Sequence, residues 1–342
     1  MTRTTPARPI DVEALFPELA AHRGTTTRLH PRPGSPLASD SSVGGPMLWP
    51  ADEPWPVCPE VHGREPGRRP DDIHRYRQVL ATAWARAETP GPTDEERELL
   101  TELRREHLAP ETSEADPLPM IGLVQLYRRD VPDLPAGPGG SDLLQVFWCP
   151  FEAHGGGYDL ELHLRWRRSS EVGEVLAPQP QPPVVESDAF VPAPCVLHPE
   201  QVATYPFAGL LPEDVRARLD AWDEAHADEV ARSGEENAAG PIAYQYDLSI
   251  PPGWRVGGFA SWHTTDPYPV DCHTCRAPMR LLLTVDSSEW DGGSGSWKPL
   301  EDRDLPTHQY ATPTGVTVGR HGELNVFVCP TDPDHPLRWS LQ

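Results

Sequence analysis

Cys272 and Cys275 form a Cys-x-x-Cys pair in CHTC, and Cys329 and His335 follow in CPTDPDH. Three thiols and an imidazole, arriving as a turn pair plus a strand-end pair, make the donor set of a tetrahedral structural zinc. Thiolate and imidazole ligands select zinc over magnesium or calcium. A looser second set is Cys58 and His62 in CPEVH with Cys149 and His154 in CPFEAH. A closed four-donor site folds a module and leaves no open position for chemistry. Two plainer alternatives stand beside zinc. The Cys-x-x-Cys pair could be redox-active, although it follows a Pro-rich turn and opens no helix after a strand. Cys149 and Cys329 could be ordinary buried thiols at strand ends.

Other chemistry is less localised. Asp286, Glu289 and Asp291 crowd VDSSEWDGG, where an apolar strand ends in an acidic, Gly-rich loop. Such a loop is a metal or acid–base site, or simply a solvated turn. HGGGYD (154–159) has no Lys, Ser or Thr in phosphate-loop spacing. Trp49, Trp55, Trp254, Trp262, Trp290, Trp297 and Trp339 are mostly expected to anchor the core of a loop-rich fold. Trp49, Trp55, Trp262 and Tyr268, with Asp286, are the candidate partner contacts, since aromatics anchor protein interfaces.

The elements that must position these residues occur twice. VGGPMLWPADEPWPV (43–57) and VGGFASWHTTDPYPV (256–270) share Val, Gly, Gly, Trp, Pro, Pro and Val at matched positions. LQVFWCP (144–150) matches LNVFVCP (324–330), and MIGLVQLY (120–127) stands where MRLLLTVD (279–286) stands. The same order in both halves reads as a duplicated module. Helices are expected over 10–22, 71–88, 94–108 and 212–232 from apolar spacing and capping residues. Strands are expected at 120–128, 143–149, 158–166, 243–250, 279–286, 315–319 and 323–329. The stretch from Thr25 to Pro70 offers only short extended pieces, and 176–185 is a Pro-rich linker. The expected fold class is α+β: two duplicated, mostly antiparallel β modules with a helical insertion and Pro-rich loops. The divisions are a lead-in (1–42), a first repeat (43–175) with its insertion at 71–108, a linker and helix (176–242), and a second repeat (243–342).

Bulk properties narrow the partners. The formal charge is −23 and 43 of the 342 residues are proline. So acidic a chain does not bind nucleic-acid phosphate non-specifically, and it attracts basic proteins. No run of about 18 apolar residues exists to span a membrane. The N-terminal residues lack an apolar signal region, and the expected location is the cytoplasm, where cysteines are thiols or metal ligands rather than disulfides.

VGGFASW (256–262), CHTCRAPMRLLLTVDSSEW (272–290) and LNVFVCPTDPDHP (324–336) together resemble the YwqG-like family of bacterial domains of unknown function. Thr284 stands where that family usually has Gln; LVQLYR in the first half keeps Gln125. The same order is similar to the eukaryotic programmed-cell-death-protein-two family, whose members chaperone a basic ribosomal protein. The resemblance covers about 80–110 residues in each half and leaves most of 160–250 unmatched. It implies a duplicated β fold and a binding role, chaperone-like or immunity-like. Many members lack the cysteines, so zinc rests on the residues themselves. The expectation is a non-enzymatic module binding a basic partner, with structural zinc. The alternative is a metal- or carboxylate-dependent hydrolase using the Asp286/Glu289/Asp291 loop.

Overall fold

Two apolar runs, Ile121–Tyr127 and Arg280–Asp286, become central strands because nearly every side chain along them is buried. Strands covered on both faces carry such continuous apolar stretches. The structure is a computed structural model that describes residues 2–60, 62, 66–107, 117–154, 157–158, 160–233, 240–305 and 311–342, with backbone alone at 153–154, 157–158 and 233. It is an α+β fold with helices and antiparallel sheets.

The first six-stranded sheet runs Leu162–Arg167, Leu143–Trp148, Ile121–Tyr127, Ser42–Val43, Cys195–Val196, Arg32–Pro33. The second runs Arg338–Leu341, Glu323–Val328, Arg280–Asp286, Arg255–Val256, Gly24–Arg28, Glu200–Thr204. Every pairing is antiparallel. The two sheets follow the same plan down to register. Val43 faces Val124 in the first, and Val256 faces Leu283 in the second. Each central ladder has one bulge, between Gly122 and Val124 and between Leu281 and Leu283. One hydrophobic cluster draws on both sheets, with Val124, Leu144, Val146 and Trp148 joined to Leu283, Val285, Leu324 and Val326.

The two leading segments exchange sheets. Gly24–Arg28 lies in the second sheet, and the chain then turns into Arg32–Pro33 at the edge of the first. Cys195–Val196 lies in the first sheet and leads to Glu200–Thr204 at the edge of the second. The crossing at His30 needs a left-handed backbone (φ 44) and places Arg28, His30 and Arg32 inside the protein. Buried polar and charged side chains require partners. His30 Nε2 lies 3.3 Å from Glu200 Oε2 and His30 Nδ1 lies 3.4 Å from Glu289 Oε2. Arg32 pairs with Asp302, and Arg28 donates to Thr5 Oγ1 and Trp297 O. Burial opposes ionisation of Glu289, but the His30 hydrogen bond and the charges of His30, Arg32 and Arg28 prevail and hold its carboxyl below the ordinary range. A carboxylate depressed in the folded state stabilises above its unfolded pKa, and that stability is lost as pH falls through the folded value. Glu289→Gln is therefore expected to cost about 3–5 kcal/mol at neutral pH, by stranding the buried cations, and to flatten the acid limb of the unfolding curve. Urea unfolding between about pH 3 and pH 7 measures both.

The helices are α1 (Val12–Leu15), α2 (Pro70–Trp84), α3 (Asp94–Leu103) and α4 (Glu213–Ser233). Asp11 caps α1, but Pro17 stops it and the chain continues as a 3-10 helix over Pro17–His22, so the single helix expected over 10–22 is two pieces. Thr93 and Glu96 form a reciprocal capping box on α3, which ends short of the expected 108. The strand expected over 243–250 is instead a π-helical turn, Tyr244–Ser249. Tyr244 and Leu248 are both buried in the cluster with Val215 and Leu219 of α4, while Tyr246 between them is exposed. That is helical rather than alternating burial. The expected strand over 315–319 is reduced to a single bridge, Val318 with Gly322. Positive φ at Gly315, Gly319 and His321 turns the chain there.

Candidate metal centre

Cys272 sits in a turn closed by its own backbone, with Cys272 N–H donating to Ala277 O and Arg276 N–H to Cys272 O, both at 2.9 Å. A left-handed Arg276 (φ 62) completes that turn and brings Cys275 beside Cys272. Cys329 follows the strand Glu323–Val328, and His335 closes the next turn through a bond from His335 N–H to Asp332 O at 3.2 Å. The donor atoms of Cys272, Cys275, Cys329 and His335 all lie within 4.8 Å of one another. Cys272 Sγ and Cys329 Sγ are each 3.4 Å from His335 Nδ1. Cys275 Sγ is 3.5 Å from Cys329 Sγ. Zinc–sulfur and zinc–nitrogen bonds of about 2.3 and 2.0 Å give tetrahedral edges of roughly 3.5–3.8 Å, so these spacings suit one ion at the centre.

The surroundings favour the thiolate at two of the three sulfurs; at Cys275 the Ala277 N–H favours it too, but burial and the neighbouring Cys329 and Cys272 prevail and raise its pKa. The N–H groups of Cys275 and Thr274 point at the Cys272 sulfur and lower its pKa. Burial alone would raise that of Cys329, but the Asp332 and Thr331 N–H groups and His335 bring it down to about 6. Asp332 Oδ2 lies 3.7 Å from His335 Nε2. A carboxylate on the far nitrogen is the usual support for a ligating imidazole.

The first cluster stands at the matching place in the other sheet. Cys149 follows Leu143–Trp148, and Cys58 ends the short strand Val57–Cys58, which pairs with Leu118–Pro119. Cys58, His62 and Cys149 offer three converging donors, with His62 Nε2 at 3.1 Å from Cys149 Sγ. The Cys149 hydrogen bond lowers the Cys58 pKa, helped by His62 and the Glu60 N–H. The side chain of His154, the fourth expected donor, lies outside the described residues. These two groups are the sets of three or more converging Cys, His, Asp or Glu donors among the described residues, and they can hold a metal ion. All six cysteines are free thiols. The sixth, Cys195, is buried alone beside Pro313 O at 3.4 Å, and burial pushes its thiol up to about 12.

The three acidic residues of the 286–291 loop do not converge. Glu289 accepts from Trp254 N–H and joins the His30–Arg32 network. Asp291 caps its own exposed turn through Gly293 and Ser294. Asp286 and Asp291 both line a cavity of about 370 Å3, but Asp291 is held in its own turn. The aromatic candidates divide likewise. Trp49 and Trp262 are buried, the former under the Arg167 guanidinium at 4.4 Å. Trp55 is partly buried against Trp49 and Phe147, and Tyr268 is exposed at the edge of Trp262.

What the sequence reading missed lies across the ladder from Asp286. Glu323 is its register partner, and Glu323 pairs with Arg255 at 3.0 Å and with the Ser261 hydroxyl. No sequence signal marks this pairing, because 286 and 323 end two strands whose register is set by the fold. Neither protein-family models nor the curated proteins match the chain, so the reading of function rests on these side chains.

Proposed function

We propose that the protein is a non-enzymatic, zinc-stabilised scaffold that binds a basic protein partner, in the manner of a chaperone or an immunity protein. The observation that carries this reading is the C-terminal cluster. Four donors around one centre leave no open coordination position, so the metal holds the fold and supplies no chemistry. The charge of −23 supplies attraction for a basic partner and speeds the encounter. The same reading takes the two sheets, with their common strand order and bulges, as a duplicated YwqG-like module. It places the protein in the cytoplasm, which free thiols suit. No helix among the described residues is long and apolar enough to cross a membrane.

The hydrolase alternative keeps one supporting observation, the cavity over Asp286. Titration calorimetry against a panel of purified basic proteins separates the two. The binding reading expects a saturable 1:1 complex with a subset of them, weakening about tenfold or more between about 50 and 300 mM salt. Binding to every polycation without saturation would overturn it. So would hydrolysis of ester or phosphoester probes that disappears in Asp286→Asn.

A further inference from the structure

The cavity beside Asp286 and Glu323 has a charge arrangement that the fold does not need. Its walls include Gln245, Tyr246, His263, Arg320 and His321. Asp286 and Glu323 face each other across the ladder, and both are more than nine-tenths buried, at 7% and 8% exposure. Residues opposite each other in a ladder project to the same face, about 5 Å apart at Cβ. The matching rung of the first sheet is Tyr127 and Leu143, where the Tyr127 hydroxyl donates to Ala38 O and no carboxyl is present. The ladder can therefore be built at this position without acids.

One cation serves two carboxyls. Arg255, fully buried, pairs with Glu323, and His263 Nε2 stands 3.8 Å from the other Glu323 oxygen. Among the described residues, Asp286 receives only the N–H groups of Gly253 and Ser288. Burial first, then the Glu323 charge, pushes Asp286 well above the usual carboxylate range. The other charged groups at the cavity are Asp291, which spends its carboxylate on its own turn, and Arg320 and His321 on the exposed turn opposite.

The walls narrow the chemistry further. The rings of Tyr246 and His263 lie nearly parallel, 9° apart with centroids at 6.1 Å, and offer flat faces to a planar cation. Gln245 lines the same cavity, and its buried Nε2 has no hydrogen-bond partner among the described residues. That donor asks for an acceptor next to the cation, as a carbonyl provides.

We propose that this cavity receives a guanidinium group bearing a nearby carbonyl, carried either by a free arginine-like small molecule or by an arginine side chain of a protein. The guanidinium seats on Asp286 and Glu323 and stacks on Tyr246 or His263. Only the protein-borne source rests on the binding function proposed above.

Calorimetry with Nα-acetyl-arginine amide, the isosteric but neutral citrulline amide, and a blocked Gly-Arg-Gly peptide tests it. The expected result is saturable 1:1 binding of the arginine compounds, with citrulline at least about tenfold weaker. Binding should weaken as the pH falls, because the guanidinium seats on ionised carboxyls. Asp286→Asn should abolish binding. Tyr246→Ala, at an exposed wall, should weaken it in a fold that melts like the parent. A peptide binding about tenfold tighter than the amide identifies a protein-borne arginine, and equal affinity identifies a small molecule. Absence of saturable binding up to about 10 mM, or citrulline binding equally well, overturns the proposal. A basic-protein complex indifferent to Asp286→Asn would reject this site while sparing the scaffold reading.

Discussion

Cys329→Ser is expected to remove one zinc per chain and to lower Tm by about 10–15 °C. The substitution takes away a donor held by two backbone N–H groups and facing both Cys275 and His335. A structural zinc contributes its binding energy directly to folding, and each kcal/mol lost is worth roughly 1–2 °C in a protein of this size. The site also ties the end of a central strand to the 272–275 turn, so its loss frees two segments at once. Elemental analysis of tag-free protein with thermal melts measures both effects. Cys195→Ala is the control, because that thiol belongs to neither cluster, and it should keep the full metal content. Cys149→Ser should remove a second equivalent from the first cluster. Protein purified without chelators that contains no zinc at all would refute the metal assignment and leave the six cysteines as thiols.

Residues 243–342 expressed alone are expected not to fold, although they carry the second set of matching motifs. The second sheet takes Gly24–Arg28 as an inner strand, paired to Glu200–Thr204 on one side and to Arg255–Val256 on the other. Without it, Arg255–Val256 becomes an edge with unpaired backbone groups, and buried Leu283, Val285 and Val326 lose the facing sheet with which they share a core. A two-residue strand cannot close that face, and exposed edges with apolar neighbours aggregate. The expected outcome is insoluble protein, or a soluble chain without dispersed amide resonances. A cooperative thermal transition for the isolated fragment would show that the exchanged strand is dispensable. Mixing it with residues 1–242 should restore some folded complex, because both leading segments then become available.

Much of this protein is written locally. The metal donors are legible because CHTC and the strand-end Cys-Pro turns carry their chemistry in a few residues. Ile121–Tyr127, Arg280–Asp286 and Glu323–Val328 are legible because strands covered on both faces carry mostly apolar runs. The helices α2, α3 and α4 announce themselves through acidic first turns and apolar spacing, and the capping box at Thr93–Glu96 sits where its residues demand. Gly24–Arg28 was hidden because GTTTR has no apolar alternation: its buried faces are hydroxyls and a guanidinium that reach distant partners such as Asp133 and Trp297. Tyr244–Ser249 misled for the opposite reason, since its aromatic and apolar residues suit a strand until α4 supplies a surface that buries every fourth one.

By itself, then, the sequence determined which residues can bind metal, which segments must be buried, and that one ordered set of motifs occurs twice. These follow from side-chain chemistry and from periods of two to four residues. Tertiary structure alone decided that the leading strands exchange sheets, that Glu289 closes a buried ion network around His30 instead of joining Asp286, and that Asp286 meets Glu323 across a ladder. Those outcomes depend on contacts between residues far apart in the chain. Their energies come from strand register and from the compensation of buried charge, and no local pattern records either.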